Sequence, residues 1–384
     1  MASTLRARPS RTEYHAVPFQ DLGRIHAALR ADILADIARL IDSGTFVNGP
    51  QVLEFEEAFA ASTGAAHCVG VASGLDALRL ALLAAGIQPG DEVVVPAHTF
   101  VATFEAVVQA GGTPAVVDVG EADYNVDLDA VEAMTSSRTR FLVPVHLYGQ
   151  MADMARAGRV AARHGLQLVE DACQAHGAAR DGYRAGTAGV AAAFSFYPSK
   201  NLGALGDAGA VVTDDMDLAA RVRALRQHGA LTAYDHAVSG YTARLDSVQA
   251  VVLLRKLALL EEWNRERAAV ARFYLRHLDG VGDLRLPSVP AGSEPVWHLF
   301  VVRTGRAERL VNSLAERGIG TGRHYPEPPH LSRAFSFLGH RRGSFPVAEA
   351  LAREGVSLPV FPGMTEQEAT AVVAGVRDFF RHGD

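Results

Sequence analysis

From about residue 65 to about residue 215 the chain repeats one pattern: a short apolar run, a small or polar break, then apolar positions at helical spacing. "AHCVGVAS" precedes "GLDALRLALLAAG", "DEVVVPA" precedes "TFVATFEAVVQAG", and "RFLVPVHLYG" precedes "MADMARAGRVAARHG". "TPAVVDV", "LQLVEDA", "AAFSFYP" and "GAVVT" add further β-rich runs. The runs are apolar throughout, as in strands covered on both faces. Their alternation with helices predicts an α/β fold on a mostly parallel sheet. Such sheets bind ligands beyond the C-terminal ends of their strands. That rule singles out Ser73–Gly74, His98–Thr99–Phe100, Tyr148–Gly149, Asp171–Gln174 and Ser195–Lys200.

The pattern changes near residue 240. "DSVQAVVLLRKLALLEEWNRERAAVARFYLRHL" reads as one long helix, with Lys256 on its solvated side. Pro-rich turns, a strand "WHLFVVRT", a helix "AERLVNSLAERG", the stretch "SFPVAEALAREGVSLPVF" and a terminal helix form a second, smaller α+β unit. The expected division is a flexible leader over 1–16, a large α/β domain over 17–262 and a small domain over 263–384. The N-terminal helix "IHAALRADILADIARLIDSG" is expected to pack near the small one.

Composition narrows the function. With 37 basic and 43 acidic side chains the net charge is −6, so electrostatics offer no case for nucleic acid. No run approaches the roughly 18 apolar residues of a membrane span, and the N-terminus lacks a secretory apolar region. A soluble, cytoplasmic protein is expected. Two cysteines, Cys68 and Cys173, can build neither a disulfide framework nor a four-thiolate metal site, and both read as buried spectators. Among the 37 cations all but Lys200 and Lys256 are arginine. Arginine holds its proton too tightly for amine chemistry, whereas lysine can be tuned to lose it. Either Lys200 is kept as an amine or it reflects drift in an Arg-biased composition.

Four strand-end features suit one cofactor, pyridoxal 5′-phosphate. Lys200, before Gly203 and Gly206, is a candidate Schiff-base amine. Asp171, after the apolar "LQLVE", could keep a pyridinium nitrogen protonated so that the ring acts as an electron sink. Ser73 and Gly74 in "ASGLDAL" end a strand and begin a helix, where free N–H groups suit a phosphate. Phe100 could stack on the ring. Each feature alone is common in structural roles; their order and spacing together make a cofactor's contact set.

These residues resemble the DegT/DnrJ/EryC1/StrS sugar aminotransferases, PLP enzymes of fold type I. The match runs through "ASGLDALRLAL", "PAHTFVAT", "PVHLYGQ", "VEDACQAHGA", "AFSFYPSKNLGALGDAGAVVT", "RLDSVQA", "HYPEPPHL" and "SLPVFP". The resemblance implies a mostly parallel seven-stranded sheet between helices, with a smaller α+β domain. It implies Lys200 as Schiff-base lysine and proton shuttle, Asp171 on the pyridine nitrogen, Gln174 on the ring hydroxyl and Phe100 stacked. Ser195, Gly74 and Leu75, beside Ser73, would hold the phosphate, with His176 and Asn201 at matched positions. A homodimer with shared sites is implied, and Thr242 stands where the family carries an Asn that reaches the neighbouring phosphate. "HYPEPPHL" is most similar to members that aminate C3 of a nucleotide-linked 3-keto-6-deoxyhexose, with glutamate as donor and 2-oxoglutarate as product. Tyr148, His324 and Tyr325 would then be substrate contacts. The other readings are amination at C4, a PLP-binding protein without catalysis, and an oxidoreductase. No G-x-G-x-x-G follows the first strand to support the last.

Overall fold

The structure, a computed structural model, describes residues 16–232 and 234–382. The leader expected over 1–16 therefore lies outside the described residues, except for Ala16. Seven strands form the main sheet: β1 His67–Val71, β2 Glu92–Pro96, β3 Thr113–Val117, β4 Thr139–Leu142, β5 Gln167–Asp171, β6 Ala191–Ser195 and β7 Gly209–Thr213. They lie side by side in the order β1-β7-β6-β5-β4-β2-β3. β7 runs antiparallel to both neighbours and the remaining pairs are parallel. The fold is thus the expected α/β architecture.

Apolar strands give two cores because successive side chains point to opposite faces. Val94, Leu142, Leu168 and Val212 enter one core with Phe55 and Phe59. Val93, Phe141, Val169 and Val211 enter the other with Leu78 and Leu80. Each such side chain contributes about 1.5–3 kcal/mol by leaving water. The helix Gly74–Ala84 follows β1 directly. It starts at Ser73, which is extended and accepts the Asp76 N–H on its hydroxyl. β7 begins against this turn, and a Cβ on Gly209 would lie 2.3 Å from the Ser73 carbonyl oxygen. Only glycine lets strand and turn approach so closely.

A third core joins the antiparallel strands β8 Phe300–Arg303 and β9 Gly355–Leu358 to the helices Ala307–Glu316 and Glu366–His382. Val17 from the N-terminal side belongs to it, as do Val270, Tyr274 and Leu278. The helix carrying the last three begins at Leu260, so the division drawn at 262/263 falls in its first turn.

Three expectations need correction. The long helix is two, Ser247–Leu257 and Leu260–Leu278, although no Gly or Pro separates them. The break lets the first pack on the large core through Ala250 and Leu253, and the second turn Tyr274 and Leu278 into the third core. Lys256 is not solvated; it is 2% exposed. The N-terminal helix is also split, into Leu22–Ala27 and Arg30–Ser43. Arg24 in the first pairs with Glu368 of the terminal helix. Ile33 and Leu40 in the second pack on Val251 and Val252 instead, away from the third core. Among the described residues no helix is long and apolar enough to cross a membrane.

Candidate active site

The C-terminal strand ends open into a cleft of about 480 Å³, closed on one side by the segment around His324 and Tyr325. Asp171 ends β5 at its floor. One carboxylate oxygen accepts the Thr103 hydroxyl at 2.8 Å and the other accepts the Cys173 N–H at 3.2 Å. Thr103 is itself bonded to Thr99 at 2.8 Å. Two donors fix the carboxylate but leave acceptor capacity facing the cleft.

Lys200 follows β6, its backbone N–H bonded to the Tyr197 carbonyl at 2.8 Å. Lys200 lines the same cleft as Asp171. Burial pushes the Lys200 pKa down, while the negative charge of Asp171 pulls the other way. An amine whose proton is loosened by burial, beside a fixed carboxylate, can form a Schiff base and carry a proton.

At the cleft's edge, Gly74 and Leu75 open the helix Gly74–Ala84, where their N–H groups have no intrahelical partner. Ser195 packs against this turn. A Cβ on Gly74 would stand 2.6 Å from the Ser195 Cβ, so glycine keeps the anion seat open. Phe100 is 51% exposed and overhangs the cleft, its ring 5.4 Å from that of Tyr325. The Gln174 amide donates to the Tyr325 hydroxyl at 2.9 Å and accepts the Tyr148 N–H at 2.7 Å. His324 stacks on Phe19 at 5.6 Å and bonds Ser357 at 2.8 Å. Burial, with the charge of Lys200, pushes His324 down to about 4, so its imidazole is neutral near pH 7.

Ten expected residues therefore meet at one cleft: Ser73, Gly74, Leu75, Phe100, Asp171, Gln174, Ser195, Lys200, His324 and Tyr325. Four do not line it. Tyr148, expected at the substrate, lies behind the wall. Its hydroxyl donates to the His324 carbonyl and meets His98 Nε2 at 2.8 Å. It braces the His324 segment. His176 sits between Phe194 and Phe196, pushed down to about 3 by burial and the charge of Lys200. Asn201 donates to Asn264 and to the Val296 carbonyl, both at 2.8 Å, which ties the Lys200 loop to the neighbouring helix. Thr242 is exposed, 3.2 Å from His228 Nε2.

Thr99 and Cys173, within the strand-end stretches singled out for ligands, line the cleft too, and so do Thr103 and His298, which were not singled out. Cys173 borders the cleft rather than lying fully buried, and its backbone N–H anchors Asp171, while burial first and the Asp171 charge second push its thiol well up. The Thr99–Thr103 pair stands four residues apart in "PAHTFVAT", a helical spacing that could have flagged it. Among the described residues no cluster suits a metal ion.

A carboxylate with open lone pairs, an amine, an overhanging ring and a helix start kept clear by Gly74 fit the parts of pyridoxal phosphate. The sequence pattern of the DegT/DnrJ/EryC1/StrS aminotransferase family matches residues 27–377. The chain belongs to this family. A dTDP-3-amino-3,4,6-trideoxy-alpha-D-glucose transaminase of Streptomyces venezuelae is 48% identical, over 98% of this chain and 99% of that one. The crystal structure of S. venezuelae DesV in complex with a ketimine intermediate has a TM-score of 0.94 at 48% identity, covering 96% of this chain and all of that one. A Bacillus subtilis structure, ntda with the cofactor PMP bound, has a TM-score of 0.89 at 29% identity, covering 98% and 87%. This member of the DegT/DnrJ/EryC1/StrS family is a pyridoxal-phosphate-dependent sugar aminotransferase.

Proposed function

We propose that the enzyme converts a nucleotide-linked 3-keto-6-deoxyhexose into its 3-amino sugar, with dTDP as nucleotide and glutamate as amino donor. The observation that carries the reading is the placement of the Lys200 amine and the fixed Asp171 carboxylate in one cleft. The 3-amino, dTDP-linked name of the 48% identical relative supports the ring position.

When bound, pyridoxal phosphate supplies an electron sink for the carbon that gains or loses its proton. Asp171, held by Thr103 and Cys173, would keep the ring nitrogen of the bound cofactor protonated. Lys200 would take the proton from one carbon and return it to the other. It must be neutral to accept that proton, and burial moves it toward that state. Gly74, Leu75 and Ser195 seat the phosphate, and Phe100 covers the ring. His324 and Tyr325 would face the sugar from the opposite wall and exclude water, with Tyr148 fixing that wall from behind and Gln174 bonding Tyr325 from within the cleft.

The same reading includes a homodimer. Tyr197 and Leu205, on the loop that carries Lys200, are 54% and 46% exposed, an apolar rim suited to burial against a second copy. Exposed Thr242 would offer its hydroxyl to that copy's phosphate seat.

The test is a pair of half-reactions. Glutamate should discharge the visible absorbance of the cofactor-loaded protein, and a dTDP-linked 3-keto-6-deoxyhexose should restore it. Restoration only by the 4-keto sugar would move the reaction to C4. Bound cofactor inert to every amino acid would leave a binding protein without catalysis.

A further inference from the structure

Both lysines of the chain serve one loop. Lys200 stands in it, and Lys256 lies beneath it on the helix Ser247–Leu257. Lys256 Nζ donates to the Gly203 carbonyl oxygen, and among the described residues the amine forms no ion pair. Burial pushes its pKa down to about 8. His26, on the overlying helix Leu22–Ala27, is held low by burial first and by this amine's charge second. Two helical turns earlier on the same face, Gln249 Oε1 accepts the Leu205 N–H at 2.8 Å.

The loop itself is tightly wound. The Ala204 N–H reaches back to the Phe196 carbonyl at 2.7 Å. A Cβ on Gly203 would stand 2.3 Å from the Pro198 carbonyl oxygen. The turn therefore has little room to adjust, and the two tethers from beneath fix its last residues. A buried amine with one acceptor and no counter-charge costs stability that an unbranched apolar side chain would not. The neighbouring Val252 and Leu253 are fully buried, so packing alone would accept methionine at 256. A chain that writes every cation except Lys200 and Lys256 as arginine keeps this amine.

We propose that Lys256 and Gln249 are positioning residues for Lys200, holding the Tyr197–Leu205 turn so that the Lys200 amine stays in the cleft beside Asp171. The proposal rests on the aminotransferase reading of Lys200. It is tested on holoenzymes of wild type, Lys256→Met and Lys256→Gln. Three readouts are taken: kcat and KM for the keto sugar, the pH midpoint of the bound cofactor's visible absorbance, and Tm.

Lys256→Met should lower kcat about tenfold or more with KM little changed, and move the absorbance midpoint by about one pH unit. Lys256→Gln, which keeps a donor for the Gly203 carbonyl, should recover part of both. A folded Lys256→Met holoenzyme with lower Tm but wild-type kcat and midpoint would overturn the proposal, because the amine would then only fill and satisfy the core. Should Lys256→Met not fold, Gln249→Ala decides: a displaced midpoint and lowered kcat support the proposal, and wild-type values overturn it. Wild-type protein that takes up no pyridoxal phosphate would instead remove the reading on which the proposal stands.

Discussion

Glu170 and Asp171 are neighbours on β5, yet they end in opposite environments. Glu170 is fully buried, and its carboxylate accepts His146 Nε2 and the N–H groups of Gly186, Ala188 and Gly189 at 2.8–2.9 Å. Asp171 accepts the Thr103 hydroxyl and the Cys173 N–H, and it borders the cleft. A strand sends adjacent side chains to opposite faces, so two identical functional groups receive different work. A carboxylate whose every lone pair is used is a structural post. One held by two donors, with capacity left over, can address a ligand.

The sharpest break of this comparison is Asp171→Asn. The amide keeps the shape and removes the charge, and kcat should fall by roughly 10²–10³. Steady-state kinetics would measure that loss, with Tm expected near wild type. The Lys200 amine of the apo-protein should also titrate lower in this variant, because Asp171 favours its protonated form. The pH dependence of its modification by an amine reagent reads that change.

Glu170→Gln should do the reverse. It leaves donors facing an amide N–H₂ in the core, at a stability loss of about 3–5 kcal/mol, measurable by urea unfolding. The folded fraction should retain kcat within about threefold of wild type. The pH sign follows from the carboxyl's ordinary value of 4.5. Burial alone would raise it, but the His146 hydrogen bond and the N–H groups of Gly186 and Gly189 outweigh burial and hold it lower. The contribution of Glu170 is therefore complete above about pH 4.5 and fades as pH falls through the lower folded value. The gap between wild type and Glu170→Gln should shrink below pH 4.5. A gap that widened there would contradict the assignment.

Thr103→Val is the smallest change. It removes one donor to Asp171 while keeping the side-chain shape, and kcat should fall about tenfold. An unchanged kcat would mean that the Cys173 N–H alone positions the carboxylate.

Most of the sheet was legible because its strands are apolar throughout and separated by clear helical repeats. Asp171, Lys200 and the Ser73–Gly74 turn were legible because strand ends locate ligand sites. What escaped the sequence depends on contacts distant along the chain. "VVLLRKLALL" is apolar around the whole helix, so its periodicity does not say which side Lys256 faces. The Tyr148 hydroxyl looks available until His98 and the His324 carbonyl, far apart in sequence, are brought against it. The break before Leu260 carries no Gly or Pro, and it comes from two cores drawing one helical stretch apart.

Everything proposed for the cleft turns on Lys200 being the amine that holds the cofactor. With two lysines in the chain, one measurement addresses it directly: borohydride reduction of the cofactor-loaded protein, followed by peptide mass mapping. The pyridoxyl mass should appear on the peptide containing Lys200, with Lys256 unmodified. Label on Lys256, or none on either lysine in protein that binds the cofactor, would contradict it.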